Sequence, residues 1–358
     1  MKLTLQIKLL PDGEQASALL ATMRKANAAC NRISEIAWEK KVFNQFKLHA
    51  ASYREIKNTG LSAQVVVRCI SKVADAYKLD HRSQRIFKPL GAITYDERIL
   101  SYAKDKISLW SIEGRLKISF VCHRPDWLPF VKGEADLITR KGKFFLFQTA
   151  EIPEENIKDV EEFLGVDFGL RHIATLSTGE KMSGKDLENY RIKRQRVRSS
   201  LQSKCTTNAR KVLKRLSGKE RTTARIVNHT IAKTIVEKAK AENKGIALEN
   251  LKGIRERSLK KGRVFRSRVG RWNFSFLRQA IEYKARLAGI PVVLVNPRHT
   301  SQRCFRCGNL GSRKGESFKC ACGFIEHADV NAARNIAFLA LPVNQGEKSA
   351  MCPVLSHG

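Results

Sequence analysis

The chain has 358 residues, enough for a full core and more than one domain, and a formal charge of +33 from 67 Lys and Arg against 34 Asp and Glu. Self-repulsion of this size is tolerable beside a polyanion, so nucleic acid is the expected partner, with an anionic membrane surface as its rival. No apolar run approaches the roughly 20 residues needed to span a bilayer, and nine cysteines in a chain of this length do not make a disulfide scaffold.

Residues 1–10 alternate apolar and polar, which marks a strand, Leu3 to Leu9, rather than an export signal. Asp12 then caps a helix, with Gln15 three residues on completing a capping box. Leu19, Met23, Ala26, Cys30, Ile33 and Ala37 recur at steps of four and three along one helical face. Ser62 opens a second helix with Val66, Cys69, Ile70, Val73 and Tyr77 on its apolar face. Residues 12–92 therefore read as a small helical module.

From Ile93 onward the period changes to two. Ile107 and Leu109 alternate, Glu113-Gly114 turns, and Leu116, Ile118 and Phe120 alternate back. Lys141-Gly142 makes another turn before Phe145 and Phe147. This is antiparallel sheet, barrel-like in extent, and the first strand is expected to join it with the helical module inserted between.

Residues 160–341 change again. Leu164 to Gly169 is a buried strand carrying one acid, and Ile173 to Ser177 leads to a second strand. A helix from Thr230 to Ala241 precedes the apolar strand Gly245 to Glu249. Another helix carries Phe274, Leu277, Ile281, Ala285 and Ala288 on one face, before a strand from Ile290 to Val295. A hairpin followed by helix-strand units indicates an α/β domain with a mixed sheet. The polar tail, 342–358, is expected to be mobile.

Two stretches concentrate the charge. Residues 191–225 hold thirteen Lys and Arg and a single acid, Glu220; residues 252–271 hold nine and a single acid, Glu256. A solvated helix face normally mixes signs, and these do not. Both stretches are expected to contact nucleic acid, through Arg191, Lys193, Arg194, Arg196, Arg198, Lys211, Lys214 and Arg215 in the first and Arg263, Arg266 and Arg268 in the second. Trp272 and Phe274 beside the second could stack on bases, although Phe274 is in phase with a helical core face.

Three acids share a context. Asp167 follows Leu164-Gly165-Val166 within one apolar strand, Glu249 ends another apolar run, and Asp329 opens an Ala-rich helix. A carboxylate in a buried strand costs several kcal/mol unless it is paired or binds metal. Divalent cations, two of them about 4 Å apart and bridged by carboxylates, would explain three such acids and would act on a phosphodiester. Mg²⁺ suits hard oxygen ligands and keeps positions open for phosphate. Between the second and third acids lies Cys304-Phe305-Arg306-Cys307-Gly308, then Cys320-Ala321-Cys322-Gly323. Paired thiols beside glycine are the pattern of a structural Zn²⁺ site. The second pair is one residue shorter than the first. Either all four sulfurs bind, or His327 replaces one. The other five cysteines, Cys30, Cys69, Cys122, Cys205 and Cys352, are scattered singly, which reads as a cytoplasmic chain with one zinc site.

The sequence resembles the TnpB family, transposon-encoded RNA-guided DNA endonucleases related to type V CRISPR effectors. The resemblance rests on Gly165-Val166-Asp167-Phe168-Gly169, on Ala247-Leu248-Glu249-Asn250-Leu251 and on Trp272 followed by Ile281-Glu282-Tyr283-Lys284-Ala285. It continues through Thr300-Ser301-Gln302 ahead of Cys304 and ends with His327-Ala328-Asp329-Val330-Asn331-Ala332-Ala333-Arg334-Asn335-Ile336. It implies a multidomain protein: a RuvC nuclease domain of RNase H-like α/β fold over 160–341, with a zinc ribbon inserted at 300–326 and a basic helical segment at 188–228. It further implies a wedge-type β-barrel from residues 1–11 and 93–155, and a recognition role for 12–92. Asp167, Glu249 and Asp329 would be the Mg²⁺-binding catalytic triad, and Cys304, Cys307, Cys320 and Cys322 the Zn²⁺ ligands. The partners implied are a guide RNA made from the transposon end and double-stranded target DNA, with a short target-adjacent motif read by the protein. A CRISPR-associated effector would share this chemistry. A transposase or resolvase-like enzyme would act without RNA, and a non-cleaving guided repressor would be expected to lack the acids.

Overall fold

A computed structural model describes residues 1–251, 262 and 274–344. The basic stretch bearing Arg263, Arg266 and Arg268, together with Trp272 and Cys352, lies outside the described residues. The chain forms two compact units, Met1–Pro153 and Glu154–Gly358. No helix among the described residues is long and apolar enough to cross a membrane.

In the first unit, strand β1 (Lys2–Leu10) leads into helices α1 (Gly13–Lys40), α2 (Gln45–Lys57) and α3 (Ala63–Leu79). The Asp12–Gln15 capping box forms as expected, and Ser62 accepts from Val65 N to cap α3. Each such cap contributes about 1 kcal/mol. The sheet strands follow: β2 (Ile93–Tyr95), β3 (Leu100–Tyr102), β4 (Lys106–Ser111), β5 (Gly114–Cys122), β6 (Val131–Arg140) and β7 (Lys143–Glu151). They form one antiparallel sheet in the order β2-β6-β7-β1-β5-β4-β3. The first strand thus sits at the centre of a sheet whose other members come after the helices. Both hairpins form at the expected turns. The two edge strands, β2 and β3, are consecutive in the chain. A turn at Asp96 joins them, and the Tyr95 hydroxyl donates to Trp110 O on β4 at 3.0 Å, so the sheet curls nearly into a barrel. One continuous core, from Leu5 and Ile7 through Met23, Ile33, Val73 and Tyr77 to Ile107 and Leu146, joins the helices to the sheet.

The second unit is built on β8 (Phe163–Asp167), β9 (His172–Leu176), β10 (Lys181–Ser183), β11 (Gly245–Glu249) and β12 (Val292–Val295), in the order β10-β9-β8-β11-β12. The first three strands pair antiparallel; β8, β11 and β12 are parallel. Between β10 and β11 run α4 (Lys185–Ser203), α5 (Thr207–Leu216) and α6 (Lys219–Ala241). Helix α7 (Phe274–Leu287) precedes β12. The sequence places the start of α6 at Thr230, but the helix begins eleven residues earlier, at Lys219. Its first turns are polar and carry no apolar period to read.

Side-chain parity sorts the layers. Leu164, Val166, Ile246 and Leu248 face a core made with Ile235 of α6 and Leu277 and Ile281 of α7. Phe163 and Ala247 point the other way, to Ile336 and Ala340 of the last helix, α8 (Ala328–Asn344). Helix α8 runs three residues beyond the expected start of the tail. Between β12 and α8 the chain makes a small sheet of β13 (Ser312–Lys314), β14 (Ser317–Lys319) and β15 (Ile325–His327).

Candidate active site and metal centres

The parallel pairing of β8 with β11 matches Gly165 to Ala247 and Val166 to Leu248. One step further, Asp167 and Glu249 end adjacent parallel strands side by side. The carboxyl ends of parallel strands are where such sheets place their ligands. With a period of two, both acids share the face of Gly165 and Ala247, the face covered by α8.

Gly165 decides how close α8 comes. A Cβ there would lie 1.9 Å from Ala333 O and 2.7 Å from Ala337 N, so the helix backbone rests directly on the strand. Asp167 is two residues along the strand from this contact, and Asp329 one turn back along the helix from Ala333. The same crossing brings the start of α8 to the end of β8, although the oxygens of Asp167, Glu249 and Asp329 do not all come within 4.8 Å of one another. Glu249 and Asp329 are buried, while Asp167 is partly accessible.

The electrostatics agree. The Asp167 carboxyl is held well above the ordinary carboxylate value, first by burial, then by the negative charges of Glu249 and Asp329, with Arg313 opposing. Folding thus binds that proton more tightly than the unfolded chain does. The metal-free fold accordingly loses stability as pH rises from the unfolded value, 3.8, through the raised one. Asp167→Asn removes the charge. Thermal melts in magnesium-free buffer should give this variant a higher Tm than the parent at about pH 7.5, the gap closing toward pH 3.8. A variant that melts at or below the parent across the whole range would contradict the repulsion.

Arg313, which no sequence pattern singles out, and Thr300, Asn331 and Asn335, which carry the resemblance without an expected role, complete the site. Arg313, from β13, donates to Asp329 Oδ1 at 2.8 Å. The buried Thr300 hydroxyl donates to Glu249 Oε1. Asn331 and Asn335, one turn apart on α8, donate to Arg303 O at 2.7 and 2.8 Å, and Asn335 also reaches Thr300 O at 2.8 Å. Asn331 Oδ1 accepts from Phe305 N at 2.9 Å. The two amides hang the loop that carries Thr300 on the helix that carries Asp329.

The four sulfurs come together. Cys304, Cys307, Cys320 and Cys322 bring their Sγ atoms within 4.8 Å of one another, with 3.7 Å between Cys304 and Cys322 and 3.5 Å between Cys307 and Cys320. A tetrahedron with Zn–S bonds near 2.3 Å has edges of about 3.8 Å, so the donor set fits zinc. The shorter knuckle is accommodated by a tighter turn. Gly308 N closes on Cys304 O at 2.9 Å, four residues back, whereas Gly323 N closes on Cys320 O at 3.0 Å, three residues back. Gly323 supports this with a left-handed φ of 83°. Burial pushes the Cys304 thiol up to about 12, and the Phe324 N–H first among other donors pulls Cys322 down to about 7. His327 is not in this cluster, which corrects the alternative in which it replaces a cysteine.

Helices α4, α5 and α6 carry the first basic stretch. Lys193, Arg196, Arg198, Lys211, Lys214 and Arg215 are exposed, and Arg194 is half-buried. Arg191 departs from the expectation of a surface contact. It is buried, its Nε 3.7 Å from Glu220 on α6, with Arg198 3.2 Å from the same carboxylate. The one acid of the stretch thus anchors α4 to α6. Beside it lies a cavity of about 570 Å³ lined by Arg191, Arg198, Arg221, Arg225, Asn228 and Phe276.

Comparison with known proteins follows the same lines. A family model described as "Cas12f1-like, TNB domain" matches residues 274–336. The TnpB-like protein MJ0751 of Methanocaldococcus jannaschii is 31% identical over 255 residues, 70% of this chain and 88% of that protein. This chain belongs to the TnpB family. Other relatives are longer: the CRISPR-associated endodeoxyribonuclease Cas12f1 of Sulfoacidibacillus thermotolerans is 34% identical over 220 residues, 55% of this TnpB-family chain and 50% of the relative. The chain thus spans half the length of that endonuclease. A cryo-EM structure of a Cas12f1-sgRNA-target DNA complex superposes with a TM-score of 0.59 at 14% identity, covering 94% of this chain and 98% of the other. At that identity the likeness is one of fold, a multidomain one.

Proposed function

We propose that this TnpB-family chain is an RNA-guided DNA endonuclease whose active site is Asp167, Glu249 and Asp329 in a RuvC domain of RNase H-like fold. The observation that carries this is that Asp167 and Glu249 end adjacent parallel strands and Asp329 opens the helix resting on them, with burial and the charges of the other two acids raising the proton affinity of Asp167. Such mutual repulsion is a standing cost unless a cation relieves it, so the residues fit a divalent metal. Mg²⁺ held there supplies Lewis acidity at the scissile phosphodiester and an activated water. The protein's own part is to hold the ligands. The Thr300 hydroxyl fixes Glu249, the α8 crossing fixes Asp329 against Asp167, and Arg313 balances charge at Asp329.

The four-cysteine cluster is read as a structural zinc ribbon inserted before α8. The curled sheet of the first unit is read as a wedge-type barrel, and α1 to α3 as the recognition module. The exposed cations of α4 and α5 would track the backbone of a guide RNA or its heteroduplex with target DNA. Named relatives support this reading: they include endodeoxyribonucleases and a "putative RNA-guided DNA endonuclease" of Streptomyces pristinaespiralis. A cytoplasmic protein is consistent with these partners. The presence of all three acids argues against a non-cleaving repressor.

Guide dependence tests the reading directly. Protein stripped of RNA should leave a matching duplex uncut, and adding back the RNA that co-purifies with it should restore cleavage at the matching site alone. Equal cutting of matched and unmatched DNA by the stripped protein would instead identify an unguided transposase or resolvase-like enzyme.

A further inference from the structure

Among the described residues, two groups of His, Cys, Asp or Glu bring all their ligand atoms within 4.8 Å of one another. One is the four-thiol cluster. The other is His172, Glu316 and His327. We propose that these three residues form a second transition-metal site, which takes a Zn²⁺-type dication and clamps the small sheet to the large one.

The ligands come from three places. His172 starts β9 in the large sheet, Glu316 sits in the turn between β13 and β14, and His327 ends β15. Two imidazoles and one carboxylate are a donor set for a borderline dication rather than for Mg²⁺, and three protein ligands leave a fourth position for water. The groups face one another without satisfying one another. His172 Nε2 is 3.8 Å from Glu316 Oε1, too far for a hydrogen bond, and His172 Nδ1 is buried with no hydrogen-bond partner. The two rings meet edge to face, 5.9 Å apart, rather than stacked.

The competing arrangement is an ion pair. Arg171 lies 2.8 Å from Glu316 Oε1, but its side chain is 75% exposed. Such surface pairs contribute about 0–1 kcal/mol, so Arg171 can swing aside at small cost. The scaffold around Glu316 is already set, because Ala328 N donates to Glu316 O at 2.7 Å and Ser317 pairs with His327 across the small sheet.

Occupancy would reach the catalytic helix. His327 Nδ1 accepts from Asp329 N at 3.3 Å. Coordination through Nδ1 takes the lone pair that this bond uses, and coordination through Nε2 puts the ring proton on Nδ1. Either way the bond gives way, two residues from the third acid.

The test is a metal count on the full chain, loaded with excess ZnCl₂, desalted and measured by elemental analysis. The parent should carry about two equivalents, and His172→Ala and Glu316→Ala about one each. Glu316 is exposed on a turn, so its variant keeps the fold even where His172→Ala does not. Cys304→Ser with Cys322→Ser should remove the other equivalent. A count untouched by Glu316→Ala and by folded His172→Ala overturns the proposal. The measurement needs neither nucleic acid nor cleavage, so it stands apart from the nuclease reading. If the thiols bind nothing, the parent holds about one equivalent, and that one should still vanish with Glu316→Ala.

Discussion

Asp167→Ala is expected to lower guided cleavage at least ~1000-fold, about 4 kcal/mol of transition-state stabilisation, while affinity for guide RNA and target DNA changes by less than about threefold. Asp167 lies at the end of its strand beside Glu249, on the face where Asp329 arrives, and is partly accessible from solvent. Alanine is smaller than aspartate and keeps the strand backbone, so the fold should survive. Asp167 also contributes none of the positive charge that holds nucleic acid, so binding should survive. Single-turnover cleavage and filter binding on the same preparation would separate the two effects. A parallel loss of binding and cleavage would show a structural role. Cleavage retained within tenfold of the parent would remove Asp167 from the active site.

Gly165→Ala should be the most damaging conservative change in the second unit. The added methyl would meet backbone atoms, Ala333 O at 1.9 Å and Ala337 N at 2.7 Å, which no rotamer can clear. Helix α8 must retreat by more than an ångström, and the cost is about 3 kcal/mol or more. For a unit of this size that corresponds to a fall in Tm of roughly 6–12 °C. Asp329 moves with the helix, so cleavage should fall well below the parent's even at temperatures where the variant is folded. A melting point within about 1 °C of the parent, with full activity, would show that the close approach of α8 to β8 is wrong.

These two residues also show what a single sequence makes legible. Asp167 is readable because an acid embedded in an apolar strand has no cheap explanation, and Glu249 at the end of another apolar run repeats the pattern. The side of the sheet they face follows from parity alone. The capping of α1 by Asp12 and the turns at Gly114 and Gly142 were readable because those signals are local. Contacts that join distant parts of the chain were not. Nothing around Arg313 announces that it reaches Asp329, since a short strand of polar residues looks the same wherever it points. Arg191 looked like its neighbours in a basic run, yet it is the one turned inward, because its partner Glu220 lies on another helix. Helix α2 went unread because its buried positions, Leu48, Ser52 and Ile56, include a serine that breaks the apolar pattern. His327 stands close enough to Cys322 in sequence to offer itself as a substitute zinc ligand. The small sheet instead directs it across Ser317 toward His172.

The pair of amides on α8 has a consequence for how this protein can change over generations. Asn331 and Asn335 grip the chain at Thr300 and Arg303, where the segment bearing the small sheet begins, and that segment ends at His327 on the threshold of the same helix. Its departure and return points are therefore neighbours, tethered to a single rigid rod. Whatever lies between can lengthen, shrink or be exchanged for another small fold without displacing Asp167 or Glu249, because neither strand depends on it for pairing. What a shortened descendant would give up is Arg313, and with it the protein's own counterion to Asp329.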